Sequence, residues 1–155
     1  MQQTVDPEFA AYVDARQERW LRAAYLVYGD LESAEERLLH AFTRLSLRWG
    51  RLDDPDTFVL RIIYQPAMSL WWRNRSHVPA PDDDEPAQVL LAGLTSAQRA
   101  VLVLLFFEEL TEFEASEVLG ISPTAVHTQS QTALSRFQAG PGSGDRRDAR
   151  PGERW

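Results

Sequence analysis

TEFEASEVLGISPTAVHTQSQTALSRFQ, residues 111–138, reads as two short helices joined by a tight turn. Thr111 followed three residues later by Glu114 is a capping box, in which each side chain satisfies a backbone donor that the first helical turn leaves free. Ala115, Val118 and Leu119 set apolar anchors on one face ahead of Gly120. Glycine there permits the left-handed backbone that a steep helix–helix turn requires. Ser122-Pro123 opens the next helix, which carries Val126, Ala133, Leu134 and Phe137 at helical spacing. The pattern predicts a helix-turn-helix, although taken alone it fits an ordinary helical hairpin in a core equally well.

Working outward, the block that contains this motif opens at Thr95 or Ser96 and follows an apolar face to Glu109. Before it stands Ser76–Pro86, SHVPAPDDDEP, with three prolines and an acidic run. That composition is a self-repelling, extended linker. A short apolar helix is expected at Ala87–Leu91. Upstream, Asp6-Pro7 starts a helix through Phe9, Tyr12, Val13, Trp20, Leu21, Ala24 and Tyr25 to Gly29. A second starts at Asp30 and runs through Leu38, Phe42 and Trp49 to Gly50. A third opens at Asp54-Pro55 and runs to about Arg75, with Pro66 expected to kink it near Ile62–Ile63. No strand pattern competes. The expected fold is all-α: a helical domain over 6–76, a linker over 77–93, a helix-turn-helix domain over 94–138 and a disordered Gly/Pro/Arg-rich tail over 139–155.

Composition narrows the function. With 44% hydrophobic and 25% charged residues among 155, the chain can build cores. Its apolar runs fall well short of the roughly 20 residues of a membrane span, and the start MQQTVDPEF has no signal-peptide features. Absence of cysteine excludes disulfides and thiolate metal sites. His40, His77 and His127 show no ligand spacing, so neither a metal nor another cofactor is expected. All sixteen basic residues are arginine, which hints at a GC-rich genome, and a bacterial cytoplasm is the expected home. The net charge of −7 opposes nonspecific affinity for nucleic acid. Residues 1–76 are nearly neutral, with ten Arg against eleven acids, whereas residues 95–138 carry two Arg against five Glu.

The stretch LTSAQRAVLVLLFFEELTEFEASEVLGISPTAVHTQSQTALSRF resembles the C-terminal DNA-binding domain of extracytoplasmic-function sigma factors, where a pattern LPxxxRxVxxLxxxExLxxxEIAxxLGxSxGTVxSxxxRxxxxLR binds the −35 promoter element. LRAAYLVYGDLESAEERLLHAFTRLSLRWGRLDDPDTFVLRIIYQPAMSLWWRNR is similar to that family's other domain, which docks on the RNA polymerase clamp and opens the −10 element. The likeness covers roughly residues 8–138 in the family's order. It implies two small helical domains, region 2-like and region 4-like, and a mechanism of recruitment and promoter melting without covalent chemistry. The implied partners are RNA polymerase core and promoter DNA, with an anti-sigma factor or a sigma paralogue as a further protein partner and no membrane.

Several positions on which the family's function rests differ here. The polymerase contact implied by the resemblance falls at Glu36, Leu39 and His40, with Leu39 and His40 where a Gln and an acid belong. Leu39 also fits an extension of the helix's apolar face, and His40 an exposed surface position. The −10 contact is implied at the loop residues Trp49, Arg51 and Asp53, and at Trp71, Trp72, Arg73 and Arg75 on the third helix. Aromatics interleaved with arginine suit an opened strand, yet Trp49 fits a core anchor and the tryptophans of the third helix fit a core face. The family's usual Val-Asn is Tyr64-Gln65 here, followed by Pro66. The −35 contact is implied at Thr124, His127, Thr128, Gln129, Gln131 and Arg136. Only Arg136 among these carries a fixed positive charge, so strong autonomous duplex binding is not expected, although His127 adds a charge at acidic pH.

Two functions follow from these observations. One is a working sigma factor for which polymerase supplies most of the binding free energy. The other is a sigma-like adaptor that has lost promoter binding and acts through protein contacts. An enzyme is disfavoured, because no nucleophile–base pair or phosphate-cradling glycine loop is present. Whether the two domains pack together is open from sequence, and a closed arrangement is expected to mask the polymerase-binding face.

Overall fold

A computed structural model of the chain describes residues 4–69 and 91–139. Among the described residues there are six α-helices and no strand: α1 (Pro7–Tyr28), α2 (Leu31–Ser46), α3 (Pro55–Tyr64), α4 (Ser96–Leu102), α5 (Glu112–Leu119) and α6 (Pro123–Ala139). The expected linker lies outside the described residues from 77 to 90, as do Trp71, Trp72, Arg73, Arg75 and the tail beyond Ala139.

Helix starts are set locally. The Asp6 and Asp30 carboxylates accept from the backbone N–H two residues on, at 2.8 and 3.1 Å. Asp54 accepts from the Thr57 N–H at 3.1 Å. Hydrogen bonds from Ser33 and Thr57 hold the Asp30 and Asp54 carboxyls below the ordinary carboxylate range. At Thr95 and Thr111 full capping boxes form with Gln98 and Glu114. Each satisfies two donors that would otherwise be orphaned. Gly29 ends α1 in the left-handed conformation, φ 72°, with its N–H on the Tyr25 carbonyl.

Three helices end earlier than the sequence pattern predicts. α2 stops at Ser46, which leaves Trp49 in a turn rather than on the helix. α3 stops at Tyr64 and tightens into a 3₁₀ turn over Gln65–Met68 instead of continuing, kinked, toward Arg75. Pro66 has no N–H to donate, and its ring crowds the carbonyl four residues back, so the helix ends there rather than bends. α4 passes after Leu102 into a π turn over Val103–Phe107, in which the Glu108 N–H reaches back to the Val103 carbonyl at 3.0 Å. Glu109 then takes a positive φ of 55° and turns the chain toward α5.

α1, α2 and α3 enclose one part of the core, with Trp20 stacked on Phe42 at 5.9 Å between ring centroids. α4 and α5 pack on α6 through Ala115, Val118, Leu119, Val126 and Ala133, all buried. The two blocks do pack together: α4 lies on α1 and the 3₁₀ turn, and α5 lies on α3, so the buried apolar residues form one continuous cluster.

Polar groups stitch this junction. Buried Arg99 of α4 donates from Nη1 to the Leu26 carbonyl at 3.2 Å. Leu26 sits in the last turn of α1, where carbonyls lack intrahelical partners and the helix dipole is negative. Burial lowers the Arg99 pKa to about 10, and the guanidinium therefore stays charged at neutral pH. Arg19 of α1 bonds the Phe107 carbonyl at 2.8 Å and pairs with Glu108 at 3.6 Å. Gln65 donates to the Val118 carbonyl at 3.2 Å. Tyr64 and Gln65, which stand where the resemblance expects Val-Asn, thus sit against the C-terminal block.

Candidate nucleic-acid and polymerase interfaces

The outward face of α2 carries Glu36, Leu39 and His40, and all three are exposed. The buried stripe of α2 is Ala34, Leu38, Ala41, Phe42 and Leu45. Leu39 extends that stripe sideways and stays 70% exposed, at the rim of an open apolar groove between α1 and α2 floored by Phe9, Val13, Leu21, Leu38 and Phe42. Among the described residues the C-terminal block does not mask this face, since it sits on α1, α3 and the 3₁₀ turn.

In the turn between α2 and α3, Arg51 and Asp53 are exposed and Trp49 is half-buried. The Trp49 ring packs edge-on against Phe9 at 5.4 Å and tilted against Tyr12 at 5.1 Å. One side of the indole is therefore committed to the core. Its other surroundings form a cavity of about 180 Å³ lined by Glu8, Leu45, Arg48, Trp49, Gly50, Leu52 and Pro55. Arg48 was not singled out from sequence. Its guanidinium lies 5.7 Å from the Phe58 ring centroid, and an arginine directly preceding the turn tryptophan is the signal that would have found it.

Below this turn, the Tyr12 hydroxyl donates to Asp56, and Arg16 pairs with Asp56 at 2.9 Å while lying over the Tyr12 ring at 3.9 Å. Burial, together with the adjacent Asp56 charge, raises the Tyr12 phenol well above its ordinary value. The cluster fixes the start of α3 against α1.

The last helix presents Thr124, His127, Thr128 and Gln131 to solvent, whereas Gln129 is half-buried and Ser130 is buried. Gly120, φ 71°, sets the turn ahead of it, and Ser122 caps it by accepting from the Ala125 N–H at 3.1 Å. The hydroxyls of Thr128 and Thr132 donate to the carbonyls four residues back at 3.0 Å, leaving them as acceptors toward any outside partner. His127 is tied to Glu112 of α5, Nδ1 to Oε1 at 2.9 Å. Arg136 turns back to Gln98 at the start of α4, at 3.4 Å. Among the described residues of 94–138, then, both arginines are engaged within the protein.

Comparison with known proteins agrees with this architecture. Residues 85–137 match the family described as sigma-70, region 4. The RNA polymerase sigma-E factor of Streptomyces coelicolor is 31% identical, with 84% of each chain covered. That of Streptomyces avermitilis is 32% identical over 84% of this chain and 83% of its own. No helix among the described residues is long and apolar enough to cross a membrane. An all-helical chain with a capped helix-turn-helix, similar along most of its length to these factors, belongs to the extracytoplasmic-function family of RNA polymerase sigma factors.

Proposed function

We propose that this sigma factor docks on RNA polymerase core through the outward face of α2, with Glu36 and the uncovered Leu39 at its centre, and directs initiation in the cytoplasm. The observation that carries this reading is that Glu36, Leu39 and His40 are all exposed on α2, with Leu39 at the rim of an apolar groove. An exposed leucine at the rim of an apolar groove suits a helical partner with apolar side chains and basic flanks.

The turn after α2 supplies the contact to the opened strand. Its cavity is of a size to admit one unstacked base, with Arg48 in its wall and the exposed Arg51 next along the turn for the phosphate, and Trp49 for stacking. Trp71, Trp72, Arg73 and Arg75 extend this contact in the reading from sequence. The last helix reads the −35 element through Thr124, Thr128 and Gln131, whose polar groups meet base edges without bringing charge.

Promoter-directed transcription with core polymerase tests the proposal. Run-off products from genomic fragments, lost in Leu39→Arg, are the expected result. Core binding without an open complex on any genomic fragment refutes it and leaves a sigma-like adaptor.

A further inference from the structure

We propose that the arginine-rich stretch beyond α6, residues 146–150, folds back into an acidic cleft bounded by α1, the start of α3 and α5, and places its guanidinium groups on Glu108, Glu109 and Glu117.

The cleft has a volume of about 710 Å³, and its walls carry six acids against Arg16 and Arg19. Three of the six are engaged locally: Asp54 caps α3, Glu114 closes the capping box of α5, and Asp56 pairs with Arg16. The other three lie together on the wall formed by α5 and the turn that leads into it. Glu109 and Glu117 are exposed, and their carboxylates have no ion pair among the described residues. Glu108 points more sharply to a missing partner. Its side chain is only 8% exposed, Arg19 approaches one carboxylate oxygen at 3.6 Å, and the other oxygen is buried with no hydrogen-bond donor. Leaving a buried charged group short of a donor is costly. A guanidinium, with five donors in a planar fork, is the side chain best matched to carboxylates.

The occupant belongs to the same block. Residues 146–150, RRDAR, hold three arginines and one aspartate, the densest cationic run of the chain. α6 runs toward the start of α4, where Arg136 meets Gln98 at 3.4 Å. The cleft lies at the far end of the segment from Ser96 to Glu108, about 20 Å away at the helical rise of about 1.5 Å per residue. An extended chain advances about 3.5 Å per residue, which carries Arg146 about 25 Å and Arg150 about 35 Å beyond Ala139. A tether of this length presents its end at a millimolar effective concentration. Each exposed ion pair multiplies the docked population by up to about fivefold, and three together by up to about a hundredfold. Docking also withholds these arginines from phosphate, which keeps nonspecific affinity for DNA low.

The chain has no cysteine, so Ala149→Cys accepts a single nitroxide spin label. In the amide NMR spectrum of the full chain, the label should broaden the signals of Glu109, Leu110 and Glu117. It should spare Leu39 and Thr43, which border the groove on the opposite side of α1. At about 1 M salt, where the Debye length is about 3 Å, the broadening should disappear. Glu109→Gln combined with Glu117→Gln should lower the ratio of docked to free tail about tenfold, and the broadening with it. Replacing Arg146, Arg147 and Arg150 by Gln in the labelled chain should do the same while leaving every core residue in place, and it decides the matter if the cleft variant does not fold. Broadening that is absent, that falls equally on both sides of α1, that maps instead to the acids at 82–85, or that a folded variant leaves unchanged overturns the proposal.

Discussion

Tyr64→Phe should stabilise this protein, against the usual direction of core substitutions. The Tyr64 side chain is fully buried at the end of α3, and its hydroxyl finds no hydrogen-bond partner in the protein. Burial, and next the nearby Glu108 charge, push its phenol well above the ordinary value. An unsatisfied buried hydroxyl costs about 1–3 kcal/mol by mutational measures. Removing one oxygen leaves a void smaller than a methyl group, which returns less than about 1 kcal/mol of that gain. The expected net is about 1 kcal/mol of added stability, or roughly 2–4 °C in Tm for a chain of this size. Tyr28→Phe is the matched control, because the Tyr28 hydroxyl donates to the Ile63 carbonyl at 2.5 Å. Losing that buried hydrogen bond should destabilise by about 1 kcal/mol. Urea unfolding followed by circular dichroism, with both variants compared at the same slope, measures the two effects. A Tyr64→Phe protein less stable than the native chain by 1 kcal/mol or more, to an order of magnitude, refutes the reasoning. It would mean that the hydroxyl is hydrogen-bonded in solution, with the Glu108 carboxylate as the nearest candidate acceptor.

Thr111→Ala removes the cap on α5, in which Thr111 Oγ1 accepts from the Glu114 N–H at 3.1 Å; thermal melts should show a loss of about 1 kcal/mol, and hydrogen exchange should rise first in the opening turn of α5. Gln131→Arg adds an unpaired cation to the exposed side of α6 and should steepen the logarithmic salt dependence of DNA binding by about 0.9. His127→Arg should give less, because Glu112 already lies within 2.9 Å of that position; equal gains from the two would show that Glu112 does not hold residue 127. Glu108 has its carboxyl pKa raised, chiefly by burial. The native state therefore holds its proton more tightly than the unfolded chain does. Stability is unaffected by this group well below the ordinary carboxylate value and declines as pH rises through the raised one. Glu108→Gln should accordingly raise Tm at pH 7 by a few degrees, less whatever the Arg19 attraction contributes, with the difference vanishing near pH 4. A Tm difference independent of pH would show that the glutamate's charge is not the cause.

What the sequence discloses well here is what is decided within three or four residues. Thr111 and Glu114, Asp6 with Pro7, and Asp54 with Pro55 each complete their geometry inside one helical turn, and each caps its helix as expected. The left-handed turn at Gly120 is of the same kind. Helix ends governed by competition are harder to see. Pro66 is legible as a disruption, but ending α3 outright rather than kinking it depends on how the 3₁₀ turn fits beneath α4. The junction between the blocks has no local signature at all. Arg19 meets the Phe107 carbonyl across 88 residues and Gln65 meets Val118 across 53, and nothing within a few residues of either announces a partner. Trp49 lies between these cases. Its place in the turn is readable, whereas the rings that cover one side of it come from α1.

A helix-turn-helix whose last helix has Arg136 as its one fixed cation among the described residues is consistent with promoter recognition if affinity is supplied elsewhere. Arg99 is committed to the end of α1 and His127 to Glu112, and Arg136 leans toward Gln98, so apart from Arg136 the exposed side of α6 meets DNA with neutral hydroxyls and amides. Such groups discriminate between bases but contribute little counterion release. Once α2 has docked on polymerase and the upstream DNA is held on the same particle, the contact by α6 becomes intramolecular, at an effective concentration in the millimolar range. An intrinsic dissociation constant of about 1 mM then suffices for occupancy, and weak contact brings a benefit, because the free protein is not sequestered on bulk DNA. At the end of α3, Gln65 ties the N-terminal block to the Val118 carbonyl of the C-terminal block. Tightening α6 with arginine should increase promiscuous DNA binding faster than it increases specific transcription.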